Sequence, residues 1–232
     1  QKASIDILCM QEIRRSAAGP LAKEYPYRVY APERRNYSVA IYSKYPIIKH
    51  SPLVYTSLTA QGYARTSAQY ADVVLPYDTV RILNVHLSST GLQDQDMDAV
   101  HSKDELLETG QFVLSKLAAS DRNRGLQANH IIEWVKESPH PVVLSGDFNG
   151  VPGGNLYCRL LQHLRDPYIL DGYGTMGSFE PLARRGLFFK IDWTMHSANL
   201  HSKGQYIENI NLSDHRPLVT RFSPEPPAPQ GD

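Results

Sequence analysis

Cysteine is almost absent from the chain, with only Cys9 and Cys158 among 232 residues, and net charge is absent altogether, since 24 basic residues meet 24 acidic ones. Two cysteines cannot build a disulfide framework, and Cys9, inside the apolar run IDILCM, reads as a small buried thiol. A neutral chain has no global electrostatic drive toward nucleic acid or anionic membrane, although clustered charge can still form a local basic cleft. No apolar run approaches the roughly 20 residues of a membrane-spanning helix. Several catalytic signatures are also missing. There is no GxSxG elbow for a serine hydrolase, no HExxH or paired CxxC for zinc, and no Walker A loop or GxGxxG fingerprint for nucleotides.

What is present is ordinary globular composition, 41% hydrophobic and 21% charged, in a chain long enough for a large core. Short β-rich runs bounded by turn residues predict strands at 5–10, 37–42, 66–75, 79–87, 141–146, 190–196 and 216–222. Between them, residues 102–120 carry Leu106, Leu107, Val113, Leu114 and Leu117 at helical spacing. A second helix is expected over 125–138, with Leu126, Ile131, Ile132 and Val135 facing inward. This mixture points to an α/β fold in which helices cover sheets. Residues 1–222 read as one domain without repeats, and 223–232, rich in proline, as a disordered tail.

Polar residues collect where the apolar strands stop. The stretches are MQEIR (10–14), NVHLSS (84–89), SGDFNG (145–150), KIDW (190–193) and LSDHRP (212–217). Each has a plain explanation on its own: Asp147 and Asn149 are ordinary turn residues, Glu12 a surface acid, His86 and His215 satisfied core histidines, Asp192 a turn cap. Together they supply several acids, two histidines and an amide at strand ends, where a layered α/β scaffold holds side chains for chemistry. That set suits phosphoester hydrolysis. A hard divalent ion takes carboxylate oxygens such as that of Glu12, and Asp147, Asn149, His86 and His215 could divide the tasks of placing water, offsetting phosphoryl charge and assisting the leaving oxygen. A carboxylate such as Asp192 on one ring nitrogen would give His215 positive character. The remaining histidines, 50, 101, 130, 140, 163, 196 and 201, read as surface or structural.

In DILCMQEIR, NVHL, VVLSGDFNGVP, KIDW and LSDHRPLV, taken in that order, the chain resembles the endonuclease/exonuclease/phosphatase superfamily over nearly its whole length. The resemblance implies a four-layered α/β/β/α sandwich, two mixed β-sheets face to face with helices outside and a site at one sheet edge. It implies that Glu12 binds the metal and that Asp147 and Asn149 orient and activate water. His86 falls where some members have a proposed general acid. Asp192 and His215 resemble the dyad at the scissile phosphate, and Asp214 the acid of the SDH motif near the metal. Arg14 and Arg65 would contact substrate. The expected cofactor is magnesium, with manganese as a substitute. The expected partner is a phosphoester, nucleic acid before lipid or inositol phosphate, with no obligate protein partner and no membrane span.

Family members also begin with a strand ending in a metal-binding Asn, which this sequence would need upstream of its first residue, so the chain as given is expected to bind metal weakly or to be inactive. GDFN departs from the GDLNYR of inositol 5-phosphatases, and the GDFNGVPGGNLYCRLL run is similar to that of uncharacterised bacterial-type members. Arg14, Arg15, Arg34, Arg35, Arg184 and Arg185 could rim an anionic site or simply be solvated. The aromatics of GLFFKIDW could stack a base, meet a lipid or pack. A non-catalytic binding module on the same scaffold stands as the alternative, against which the intact Glu12, Asp147, Asn149, Asp192 and His215 argue.

Overall fold

The computed structural model describes residues 4–14, 19–31, 38–59, 62–88, 111, 115, 124–173, 177–184, 186–210 and 213–223. The expected helix at 102–120 and the tail from 224 lie outside those residues, apart from positions 111 and 115. Strands dominate: β1 (Ile7–Ile13), β2 (Tyr27–Tyr30), β3 (Ser38–Ser43), β4 (Ile47–Thr59), β5 (Gly62–Val74), β6 (Thr79–His86), β7 (Val142–Asp147), β8 (Gly172–Tyr173), β9 (Asp192–His196), β10 (His201–Ile207) and β11 (Leu218–Ser223). The helix α1 is described over 124–136, followed by α2 (Asn155–Leu161), α3 (Pro167–Asp171) and α4 (Glu180–Ala183).

A five-stranded sheet in the order β4-β5-β6-β7-β9 forms one inner layer. Facing it, among the described residues, the second layer carries two three-stranded sheets, β1-β3-β2 and β11-β10-β8. Ser223, assigned from sequence to the tail, closes β11 and is buried.

Period-two alternation divides the large sheet into two faces. Ala68, Tyr70, Leu83, Val85, Val142, Leu144, Trp193 and Met195 point to one side, where Ala128, Ile131 and Ile132 of α1 and Leu156, Tyr157 and Leu160 of α2 cover them. Leu126, expected to face inward, is 67% exposed, and Ala128 takes the inward position instead. The opposite face carries Ala71, Val73, Val80, Ile82 and Val143 and packs on Ile41, Cys9 and Val29 of the smaller sheet. Burial pushes the Cys9 thiol up to about 12, and Cys9 packs half-buried against this core, where IDILCM predicts a buried thiol. The outer face of the small sheet buries Ile13, Tyr25, Ala40 and Tyr42. The architecture is thus helix, sheet, sheet and outer cover.

Gly146 shows why SGD needs its glycine. Its φ is +145°, and a Cβ there would lie 2.0 Å from the Val85 carbonyl oxygen of the neighbouring strand. Only a residue without a side chain lets β7 run this close to β6 one step before Asp147.

Candidate active site

Register brings the expected residues together. Across the large sheet Ser67 pairs with His86, His86 with Asp147, and Asp147 with Asp192, so one transverse row carries three of them at the strand ends. All three side chains share the face that looks at the smaller sheets, because each lies two residues from an interior position on its own strand.

Asp147 is buried at 6% exposure. Its Oδ1 accepts the backbone N–H of Asn149 at 2.8 Å, and its Oδ2 accepts from Asn149 Nδ2, also at 2.8 Å. Asn149 sits at φ +50°, a left-handed conformation that Asn tolerates, and its Nδ2 donates also to the Leu87 carbonyl at 3.3 Å. Both amide hydrogens are thereby engaged, which leaves Oδ1 as the acceptor. Beneath this turn Phe148 stacks on Trp193 with ring centroids 4.4 Å apart, and Trp193 Nε1 donates to the Lys190 carbonyl at 2.8 Å. Burial and the neighbouring Asp192 raise the Asp147 carboxyl to about 6, against the opposing pull of His215, His86 and the Asn149 N–H.

His215 Nδ1 lies 2.8 Å from Asp192 Oδ2. Burial alone would lower the imidazole, yet Asp192, Asp147 and Asp214 raise it to about 10. His215 is therefore an imidazolium at neutral pH. Asp147, Asp192 and His215 place one ligand-capable atom each within 4.8 Å of one another. His86 Nε2 stands 3.6 Å from Asp147 Oδ2 and 3.7 Å from Glu12 Oε1. Glu12 comes from the opposite sheet, at φ +52°, where β1 slips register between Met10 and Ile13. That bulge turns an edge carboxylate toward the row.

Asp214 is exposed next to His215, its carboxylate accepting from Ser213 Oγ at 3.0 Å. Arg14 lies exposed just past the end of β1. Arg65 is placed through its backbone only, opposite Thr56 on the β4–β5 hairpin and two residues from Ser67, which pairs with His86. Of the arginine pairs, Arg15, Arg34, Arg35 and Arg185 fall outside the described residues. Phe188 of the aromatic run is 50% exposed. Phe189 packs against Leu182, and Trp193 is core.

Sequence reasoning missed residues 177–184. Ser178, fully buried, accepts the backbone N–H groups of Ile191 and Asp192 on its Oγ at 3.0 and 3.1 Å. Phe179 forms a backbone bridge with His215 and sets its ring 5.3 Å from the imidazole. Glu180 pairs with Arg216 and Arg184, and its backbone N–H donates to the Asp214 carbonyl at 2.7 Å. Nothing in GSFEP signals this role, which depends on two distant segments meeting there.

The endonuclease/exonuclease/phosphatase family model matches residues 1–215. No curated protein matches the chain in sequence. Among solved structures, a mannosyl-6-phosphatase of Bacteroides thetaiotaomicron is similar at 15% identity and TM-score 0.65, over 94% of this chain and 85% of that one. Beta toxin of Staphylococcus aureus is similar at 16% identity and TM-score 0.67, over 95% and 89%. Sphingomyelinase C of Streptomyces griseocarneus is similar at 17% and 0.61, over 94% and 86%. At these identities the structures establish the sandwich fold, and the family match establishes the class: the chain belongs to the endonuclease/exonuclease/phosphatase family of phosphoric ester hydrolases.

Proposed function

We propose that the chain hydrolyses a phosphodiester, with a divalent metal ion, by in-line attack of water held between Asp147 and Asn149. The observation that carries the reading is the compact Asp147, Asp192 and His215 cluster, donor atoms within 4.8 Å, beside the Asp147–Asn149 pair. For magnesium, or manganese in its place, the donor chemistry fits: carboxylate oxygens of Glu12 and Asp147 lie 3.7 and 3.6 Å from the same nitrogen of His86, and hard cations take oxygen ligands. Glu12 would hold the ion, with Asp214 as the nearby second acid. Bound there, the ion supplies positive charge against the phosphoryl and leaving oxygens.

The residues supply the rest. Asn149 has both side-chain N–H groups committed to Asp147 and Leu87, so its Oδ1 accepts from water and orients an oxygen lone pair toward phosphorus. Asp147, ionised above about pH 6, takes the proton from that water. His215 keeps one N–H on Asp192 and offers the Nε2–H to a non-bridging phosphoryl oxygen, where negative charge grows in the transition state. His86 would protonate the leaving alkoxide or bind its oxygen. Arg14 and Arg65 would contact the substrate's phosphate backbone or headgroup.

The test is hydrolysis of bis(p-nitrophenyl) phosphate against p-nitrophenyl phosphate, with and without magnesium, followed by DNA, RNA, inositol phosphates and lipid phosphodiesters, with Asp147→Ala as the blank. We expect metal-dependent diester turnover that vanishes in the blank. A preference for the monoester, or turnover indifferent to metal, overturns the reading.

A further inference from the structure

One side-chain repeat inward from the His86–Asp147–Asp192 row lies a second row that is also polar, at the center of what should be an apolar interior. Gln69 pairs with Asn84, Asn84 with Ser145, and Ser145 with Thr194. Gln69 and Asn84 are fully buried, Thr194 is 4% exposed, and Ser145 Oγ meets Thr194 Oγ1 at 3.1 Å. Buried amides cost stability unless every donor and acceptor is matched. Here they are matched across the gap between sheets. Asn84 Nδ2 donates to Met10 O at 3.0 Å and Ala40 O at 2.8 Å, and Asn84 Oδ1 accepts from Gln11 Nε2 at 2.6 Å. Gln69 Nε2 donates to Val39 O at 3.1 Å while its Oε1 pairs with His50 Nε2 at 3.0 Å.

The partners are not scattered. Met10 pairs with Ala40 and Ile13 with Ser38, so Gln11 and Glu12 together oppose the single Val39: this is the bulge that gives Glu12 its φ of +52°. Between them the two amides grip Met10 and Gln11 on β1 and Val39 and Ala40 on β3, at the bulge and on its N-terminal side along β1. Gln11, adjacent to Glu12, is drawn inward onto Asn84, and in a bulge that fixes where the next side chain can go. A left-handed non-glycine conformation costs of order 1–3 kcal/mol and persists only where its surroundings over-determine it.

We infer that Asn84, through Gln11, is a positioning residue for the Glu12 carboxylate, and that the Gln69–Asn84 pair is the device by which the large sheet sets this acid of the small sheet against the site. The inference rests on the reading of Glu12 as the metal-holding carboxylate. Residues that orient metal ligands typically cost about 10–100-fold in metal affinity when changed, although they touch neither metal nor substrate.

The experiment is Mn2+ binding to the folded chain, read as free ion by electron paramagnetic resonance, for wild type, Asn84→Ala, Gln11→Leu, Glu12→Gln and the Asn84→Ala/Glu12→Gln double variant. Thr194→Val, at the far end of the same row, controls for general loosening, and thermal melts report folding. Asn84→Ala and Gln11→Leu are expected to weaken Mn2+ binding about tenfold or more, Asn84→Ala to leave it unchanged when Glu12 is already Gln, and Thr194→Val to lower the melting temperature without weakening Mn2+ binding. Gln11 is half-buried, so its variant keeps the test open if Asn84→Ala fails to fold. Affinities within about twofold of wild type in both variants reduce the amides to structural filler and overturn the inference. If Glu12→Gln itself leaves Mn2+ binding unchanged, the assignment of Glu12 fails first and the inference falls with it, which that single variant reports separately.

Discussion

The 2.8 Å contact between His215 Nδ1 and Asp192 Oδ2 joins the loop between β10 and β11 of one small sheet to the first residue of β9 in the large one. It keeps His215 protonated until pH climbs to about 10, despite burial that pulls the other way. Because this folded value stands above the unfolded one, the stability it contributes is complete below about pH 6.5 and fades as pH rises through 10. We expect Asp192→Asn to lower the histidine, moving the alkaline limb of the rate profile to lower pH, with a loss of kcat of roughly 10²–10⁴-fold. An NMR titration of the His215 ring protons checks the cause, and an unshifted histidine contradicts it.

Asp147 gives the opposite balance between activity and stability. Its carboxyl is raised to about 6, so the fold prefers it protonated: stability is higher below that pH and declines as pH climbs from the unfolded value near 3.8. The acid limb of kcat should fall on descending through about 6. Asp147→Asn should abolish turnover and yet raise the melting temperature at pH 7.5 by a few degrees, since it removes a buried charge. A lowered melting temperature would show that His215 and Asn149 more than offset that charge.

Gly146→Ala is expected to destabilise by about 3 kcal/mol or more, because no rotamer change moves a Cβ away from the Val85 backbone. The Cβ would sit 2.0 Å from Val85 O, at a φ of +145°. Urea unfolding measures it, and a change below about 1 kcal/mol would mean the β6–β7 spacing yields easily.

Lys190 is buried, 3.0 and 3.2 Å from the two oxygens of Asp166 and 3.1 Å from Gln205 Oε1. Asp166 also caps α3 through the Tyr168 N–H and accepts from Tyr157, so one pair ties α2 and α3 to the strand start that delivers Asp192. Lys190→Met leaves that carboxylate buried without its cation and should cost roughly 3–5 kcal/mol in denaturant unfolding. The Lys190→Met/Asp166→Asn double variant should recover part of the loss. If it recovers none, the hydrogen bonds rather than the charges hold this corner.

The sequence alone determined the parts whose signal is local. Strands β5, β6, β7 and β9 stand out because their apolar residues alternate or run together between turns, and the polar residues ending them announce the site in order. Four strands stayed hidden for physical reasons. β4 carries His50, Ser51 and Pro52 and is tolerated as a strand because it is the sheet edge, where proline costs no ladder bond. β2 and β8 are too short to show a period, and β10, HSKGQYI, is polar where Gln205 turns inward to Lys190 and Thr220. Tertiary structure decided what depends on register. That His86, Asp147 and Asp192 form one row, that Ser178 holds the backbone of Asp192, and that Gln69 and Asn84 are paired amides rather than surface residues follow from which strands lie side by side. Burial then raised the Asp147 carboxyl, and the carboxylates around His215 raised its imidazole against burial, because the effect of a charge depends on the distances and solvent around it, and a sequence specifies those only after it has folded.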